Sequence, residues 1–191
     1  MQLFGQVIPV TGLNLGFPGK ISRLGDRVIA SRPVLSTTAN PIAFGSGCVI
    51  IPTAGGGDTV QSIADFIAGG GTFTAAKFAG VAISEVLTNP SFTSMLTPYA
   101  PTTGSYVQGQ MAELLERGSI AVTINVGTPV SQAPVYVRVA LNASIPAGVV
   151  GGFEAAADGA NTVQLTNVVF RTGLIDSNNI AEITLQSRVA A

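Results

Sequence analysis

Alternation of apolar and polar residues defines the two clearest elements of the chain. Every second residue from 120 to 126 is Ile or Val, and every second residue from 135 to 141 is Val or Leu. A period of two is typical of a β-strand with one buried face. Because Gly127, Pro129 and Pro134 interrupt the chain between the two runs, we predict two neighbouring strands that pair directly and form the nucleus of an antiparallel sheet.

The same period predicts further strands at residues 47–51, 80–86, 162–171 and 180–189. The predicted buried residues of the last three are Val81, Ile83, Val163, Leu165, Val169, Ala181, Ile183, Leu185 and Val189. One short helix is predicted over residues 59–68, capped by Asp58 or Thr59 and ended by Gly69. Residues 111–117 (MAELLER) have high helix propensity, but the segment is too short for a stable helix.

Two segments are predicted to lack regular structure. Residues 1–32 are interrupted by Gly and Pro every few positions, and they carry four positive side chains against one negative, a local charge of +3. We interpret them either as a segment laid on the domain's own surface or as an arm that docks on an acidic partner. Residues 89–105 contain three prolines and are interpreted as a long exposed loop with apolar side chains for a partner contact.

Composition favours a protein whose surface is covered in an assembly. Of the 191 residues, 47% are hydrophobic but only 10% are charged, against a usual charged share of about 25%. A compact, neutral secreted domain is the other interpretation left open. A net charge of −1 leaves no broad basic face for nucleic acid. The N-terminus lacks the basic region of a signal peptide, and no apolar run approaches the ~18 residues of a membrane helix.

Candidate chemistry is sparse. The absence of His excludes a Ser–His–Asp triad, and one Cys without His offers neither an internal disulfide nor a zinc site. We interpret that residue, Cys48, as a buried apolar side chain. The ten carboxylates are scattered rather than paired as glycoside hydrolysis requires. Asp158 with Asn161, and Asp176 with Asn178 and Asn179, are interpreted as turns rather than calcium sites, so no metal or cofactor is expected.

An ordered series of motifs resembles a known family. The series runs FAGVAISEV (78–86), YVQGQMAELLERGSIAVTI (106–124), PVYVRV (134–139), GGFEAAADGANT (151–162), VVFRTG (168–173) and AEITL (181–185). Over about residues 70–190 it is similar to the structural cement proteins of tailed bacteriophages, small β-rich proteins that decorate the outside of the assembled head shell. The resemblance implies that residues 111–117 form a strand, and it brings no catalytic residues.

Pattern and resemblance together predict a mainly β fold, an antiparallel β-barrel or a jelly-roll-like β-sandwich, with at most one or two short helices. We expect an N-terminal extended arm at residues 1–32 and a single β-rich domain at residues 33–191. The expected function is non-enzymatic: a homodimer or homotrimer on the outer surface of a phage head that clamps neighbouring major capsid subunits, without nucleic acid or membrane. The candidate capsid-contact residues are Leu3, Phe4, Phe17, Lys20, Arg23, Arg27, Arg32, Phe92 and Tyr99.

A carbohydrate-binding or adhesive β-module of a phage tail or fibre is the alternative function. Sugar-binding surfaces usually present exposed aromatic faces to the pyranose ring. The absence of Trp and an aromatic content of 6% weaken this alternative.

Overall fold

The computed structural model describes residues 15–36, 41–52, 57–84 and 104–186, and strands dominate these ranges. The strands are β1 (Val28–Pro33), β2 (Ile42–Ala43), β3 (Gly47–Pro52), β4 (Asp58–Ser62), β5 (Phe78–Ala82), β6 (Ser105–Tyr106), β7 (Met111–Val126), β8 (Pro134–Arg138), β9 (Phe153–Glu154), β10 (Thr162–Ile175) and β11 (Ile180–Leu185). The described part also contains one α-helix, α1 (Ile63–Ala68), and 3₁₀ turns at Ala75–Lys77 and Gly159–Asn161. The predicted mainly β fold is confirmed.

Five strands close into a barrel. Their order is β7–β9–β8–β10–β11, and β11 returns to pair with β7 along its second half. The pairings are antiparallel except that of β7 with β9, which is parallel. The apolar interior includes Val122, Val137, Phe153, Phe170 and Ile183. Of the two predicted architectures, the barrel is therefore the one that forms.

The two strands that define the sequence pattern do not pair with each other, so that prediction is wrong. The two-residue strand β9 lies hydrogen-bonded between β7 and β8. Local alternation specifies a strand but not its neighbour, which here comes from beyond the next loop. β8 also ends at Arg138, earlier than predicted, because Val139 N and Ala140 N both donate to Asn161 O where the chain turns away.

β7 is 16 residues long and serves two sheets. Its first half pairs with β1 and β5 in the order β1–β7–β5–β3–β4. A bridge between Val34 and Val60 brings the two ends of this sheet together. They enclose a second core composed of Val34, Ile42, Cys48, Val60, Ala79, Ala82, Tyr106, Ala112 and Leu114. The prediction that Cys48 is a buried apolar side chain is confirmed.

The buried face of β7 changes along the strand. Leu115, at an odd position, lies in the barrel core, whereas farther along Ile120, Val122 and Ile124 fill the same core from even positions. The pairing with β1 shifts register between Val28 and Ile29, and Gly118 has a φ of +126°. A bulge of one residue moves every following side chain to the other face, and a positive φ favours Gly.

The described part of the N-terminal segment lies along β7. Three backbone hydrogen bonds of 2.8–3.0 Å join the two: Gly19 N to Ala121 O, Ala121 N to Lys20 O, and Ser22 N to Ser119 O. Ala121 is consequently only 2% exposed, so the strand is covered on both faces at this position, where the sequence pattern predicts a single buried face. The prediction that residues 1–32 are irregular is wrong from Val28 onward, because β1 finds the backbone of β7 to pair with.

The predicted helix begins later than expected. Residues 58–62 form β4 and pair with β3, so Asp58 and Thr59 do not cap a helix. The helix starts after Ser62, whose Oγ accepts a hydrogen bond from Asp65 N at 3.1 Å, and it ends at Gly69 as predicted. Sheet pairing outweighs a weak helical spacing over so few residues.

Strand bounds account for the remaining corrections. β5 begins and ends earlier than the predicted strand over residues 80–86, although Val81 and Ile83 are buried as predicted. In β10 the pairing shifts register after Leu165, so the following side chains point to the opposite faces. Val168 and Phe170 are therefore buried, whereas the sequence pattern predicts that Val169 is buried. Ala181, Ile183 and Leu185 of β11 are buried as predicted. Val189 and residues 89–103 of the predicted loop lie outside the described residues, while Ser105 belongs to β6.

Candidate interaction surface

The predicted contact residues fall into three groups. Leu3, Phe4, Phe92 and Tyr99 lie outside the described residues. Phe17 is 70% exposed, and Lys20 and Arg27 are also exposed. Arg23 and Arg32 are engaged with carboxylates of this chain.

The Arg23 ion pair fixes the N-terminal segment to β11. Arg23 Nε lies 2.8 Å from Glu182 Oε1, and Ser22 Oγ donates to the same oxygen at 2.8 Å. Burial favours the protonated form of Glu182, but the hydrogen bonds from Arg23 and Ser22 and the charges of Arg23 and Arg171 outweigh it. The pKa of Glu182 therefore lies below its usual value. The carboxylate is held ionised, and Arg23 is largely neutralised within the chain.

Arg32 is bound more deeply than an exposed contact residue. Its Nη1 lies 3.0 Å from Asp58 Oδ2 and its Nη2 lies 3.0 Å from Glu116 Oε1. The side chain of Arg32 is mostly buried between β4 and β7, so its charge holds the second sheet together. It is the least accessible of the predicted contact cations in the described ranges.

The solvent side of β1 forms an apolar surface. Alternation along the strand exposes Ile29, Ser31, Pro33 and, just beyond it, Leu35, while Met111 is exposed opposite Pro33. We call these five residues the β1 outer face. Of the exposed large hydrophobic side chains in the described part, half lie in residues 17–35. The sequence analysis missed this face because β1 was not predicted; the apolar positions flanking Ser31 and Arg32 were the available signal.

A cleft opens beside the first residues of β1. It has a volume of about 380 Å³ and is lined by Arg23, Gly25, Asp26, Arg117, Gly118, Ser119, Arg171, Thr184, Leu185 and Gln186. We call it the arginine cleft. Arg117 pairs with Asp26, and Ser119 Oγ lies 2.8 Å from Thr184 Oγ1. Sequence reasoning missed Arg117 and Arg171, since only the fold brings them to the N-terminal segment.

The family model described as structural cement protein (E217 gp24/Pam3 gp6) matches residues 8–186, nearly the whole chain. The chain belongs to this structural cement protein family. Among solved structures, a chain described as "The capsid of Myoviridae Phage XM1" has the same fold, with a TM-score of 0.57, 15% identity, and coverage of 92% of this chain and 93% of that chain. No curated protein matches.

Family membership gives this cement protein a structural role in the phage capsid and a location in the virion. It also suggests a protein without catalytic activity. The architecture agrees with such a role, since the two sheets and the N-terminal segment place hydrogen-bonded backbone beneath the β1 outer face and the arginine cleft.

A buried charge cluster in the cement protein is structural rather than chemical. Arg138 and Glu154 are both fully buried, with Arg138 Nη2 2.9 Å from Glu154 Oε2 and Nη1 2.8 Å from Asp158 Oδ2. Hydrogen bonds from Arg138, Asn142 and Asn161 lower the pKa of Asp158. The cluster ties the loop after β8 to the barrel. Gly148 covers it closely, because a Cβ at that position would collide with Arg138 Nε.

Groups that could support other chemistry are bound within the fold. Asp176 Oδ1 accepts hydrogen bonds from Asn178 N and Ile180 N, and Oδ2 accepts one from Leu15 N. Within the described ranges there is no group of three or more metal-ligating side chains. Burial raises the pKa of the Cys48 thiol far above its usual value, so it stays protonated. None of the described helices is long and apolar enough to cross a membrane.

Proposed function

We propose that this cement protein binds the outer surface of the assembled head and clamps neighbouring major capsid subunits. The observation that carries the proposal is the β1 outer face, which exposes Ile29, Pro33, Leu35 and Met111 to solvent along β1 and the beginning of its partner strand β7. An apolar patch of this kind on a capsid protein marks an interaction site. Residues 1–14 extend this contact as an arm with the predicted contact residues Leu3 and Phe4 as apolar anchors, and the exposed side chain of Phe17 adds a third anchor.

The clamp works by burying surface on more than one neighbour. When a cement protein contacts two capsid subunits, either subunit can leave the shell only if its contact with the cement protein is broken as well. Contacts that must be broken to reach the transition state of rupture raise the free-energy barrier to rupture. Such contacts remove charged side chains from water, which costs free energy. Only 10% of the residues of this chain are charged, so this cost is small.

We also propose that the protein acts as a homodimer or homotrimer, since closed point groups match the symmetry axes of a shell. Light scattering on the purified protein, with a count of its copies on particles, tests this part. A strictly monomeric protein in solution, present as isolated copies on particles, would contradict it.

The experiment adds purified protein to undecorated heads and measures occupancy and resistance of the heads to heat. Leu35→Asp, on the β1 outer face, should lower occupancy by about tenfold or more, because a charge is buried at the contact. Leu141→Asp is the matched control: Leu141 is 72% exposed in the loop after β8, away from this face. Equal occupancy by the two variants would refute the assignment of the contact to β1. Wild-type protein that neither binds heads nor protects them would refute the clamp itself.

The carbohydrate-binding alternative receives no support from the described surface. Phe17 is the one exposed aromatic side chain in the described ranges, and two of the three Tyr residues, Tyr106 and Tyr136, are buried or half-buried. A platform for a sugar ring needs a broad aromatic face, and a single Phe does not provide one.

A further inference from the structure

The arginine cleft carries more positive charge than the chain around it. Arg23, Arg117 and Arg171 line it, and Arg27 lies beside Gly118 of the lining, where a Cβ built on Gly118 would lie 3.3 Å from Arg27 Cβ. Two carboxylates, those of Asp26 and Glu182, lie close to these four cations. The local charge is thus +2 in a chain whose net charge is −1.

The surplus is located on two side chains. Arg23 is neutralised by Glu182 and Arg117 by Asp26. Within the described part of the chain, the side chains of Arg27 and Arg171 form neither a hydrogen bond nor an ion pair. Both are exposed. Two exposed arginines, one in the cleft lining and one beside it, therefore favour a ligand that carries at least two negative charges.

The cleft adjoins the β1 outer face. Val28, the first residue of β1, pairs with Arg117 of the cleft lining, so a partner seated on that face has its edge at the cleft. The hydroxyls of Ser119 and Thr184 and the amide of Gln186 add hydrogen-bonding groups to the wall. Guanidinium groups recognise carboxylates in a bidentate geometry, which sets both position and orientation.

We propose that the arginine cleft binds an acidic segment of a neighbouring capsid subunit, through its carboxylates, and so fixes the register of the clamp. This proposal rests on the proposed function for the source of the segment. Nucleic acid does not fit, because two surplus cations fall short of the several phosphate contacts that DNA binding requires, and the chain as a whole is slightly acidic.

Asp26 competes with a partner's carboxylate for the side chain of Arg117. It is 65% exposed, and an exposed ion pair such as Asp26–Arg117 is weak enough to be exchanged for a partner's carboxylate. On binding, Arg117 then leaves Asp26 and joins Arg27 and Arg171 at the acidic segment. Removing the charge of Asp26 should therefore strengthen attachment, whereas removing the charge of Arg27 or Arg171 should weaken it.

The first test measures the Kd of the full-length protein for undecorated heads across a salt series. Arg27→Gln and Arg171→Gln should each raise the Kd by about tenfold at low salt, and Asp26→Asn should lower it, with all three differences shrinking as salt rises. Lys77→Gln removes one positive charge outside the cleft and should leave the Kd near the wild-type value. If the Arg27 and Arg171 variants bind as Lys77→Gln does, the proposal is wrong.

The second test separates this proposal from the clamp. Hexaglutamate is titrated into ¹⁵N-labelled protein, with hexaglutamine and a short DNA duplex as comparisons. Shifts of the Gly118, Ser119 and Thr184 amides that appear with hexaglutamate alone, and vanish in the Arg27→Gln/Arg171→Gln variant, would support the cleft even if the protein failed to bind heads. Equal shifts with hexaglutamine or with DNA, or their persistence in the double variant, would overturn it.

Discussion

Leu114 and Leu115 are consecutive residues of β7, yet their side chains lie in different hydrophobic cores. Leu114 packs in the core enclosed by β1, β5, β3 and β4, and Leu115 packs in the core of the barrel. Both are fully buried. Successive side chains of a strand point to opposite faces, so a strand buried on both faces can join two cores back to back. β7 is therefore the shared wall of the molecule.

Truncating either leucine should destabilise the whole protein. Leu114→Ala and Leu115→Ala each leave a cavity in a closed core, and we expect each to lower the free energy of unfolding by about 2–5 kcal/mol. Urea denaturation followed by circular dichroism measures this. Met111→Ala, at an exposed position of the same strand, is the control and should cost less than about 1 kcal/mol. A near-wild-type result for either leucine would show that its core does not contribute to the stability of β7.

A charge placed on each side of the barrel half of β7 tests which face is closed. Val122 is fully buried and Thr123 is half-buried. Val122→Asp should lower the free energy of unfolding by roughly 3 kcal/mol or more, because it buries an unpaired charge. Thr123→Asp should cost much less, since its side chain lines an open groove with Asn125. Equal loss in urea melts would mean that Thr123 is covered as Ala121 is.

The sequence predicted strands well where one face packs on one core. The alternation of β11 and of the second half of β7 was read correctly, because each lies in a barrel with a single apolar interior. The pattern does not predict the neighbours of those strands. β9 has two residues and no periodicity, and the few apolar positions of β1 do not show that it pairs with β7. The sequence pattern does not predict the arginine cleft for the same reason, since Arg23 and Arg171 come together only when the barrel closes.

The buried ion pair between Arg138 and Glu154 should be costly to break. Arg138→Met leaves Glu154 as an uncompensated buried charge, so we expect a loss of about 3–5 kcal/mol in the free energy of unfolding. The matched control is Arg23→Met, which removes an Arg whose side chain is 55% exposed and should cost less than about 1 kcal/mol. In the double variant Arg138→Met/Glu154→Leu, part of the stability should return, because the fully buried charge of Glu154 is removed as well. Urea melts in which Arg138→Met is no worse than Arg23→Met would contradict this account.

Acid should weaken the fold through carboxylates that the structure keeps ionised. Burial of Asp176 raises its pKa, but hydrogen bonds from the backbone of Ile180, Leu15 and Asn178 outweigh this, so the pKa is lowered overall. A lowered folded-state pKa stabilises the protein above the unfolded-state value of about 4, and this stabilisation is lost as the pH falls through the folded-state pKa. We therefore expect the free energy of unfolding to be steady near pH 6 and to decline below about pH 4.

Asp176→Asn tests the assignment of this acid sensitivity. The variant should be less stable than the wild type at pH 7, and the difference should shrink as the pH falls, because the wild-type carboxylate becomes protonated while the amide does not change. Urea melts between about pH 2 and pH 7 measure both curves. A constant difference across that range would show that Asp176 does not contribute to the acid response.

The N-terminal segment offers a way to separate folding from attachment. A variant that begins at Leu15 keeps the hydrogen bond of Leu15 N to Asp176 and the three backbone bonds between residues 19–22 and β7, so its circular dichroism and urea melt should match the full-length protein. A variant that begins at Gly25 loses those bonds and uncovers Ala121, and it should be less stable. Residues 1–14 could extend about 45 Å at about 3.3 Å each, enough to reach a neighbouring subunit. If they form the proposed arm, the variant beginning at Leu15 should occupy undecorated heads less than the full-length protein does while remaining folded. Full occupancy by that variant would place the whole of the attachment on the described surface, with the β1 outer face and the arginine cleft sufficient to hold the protein on the shell.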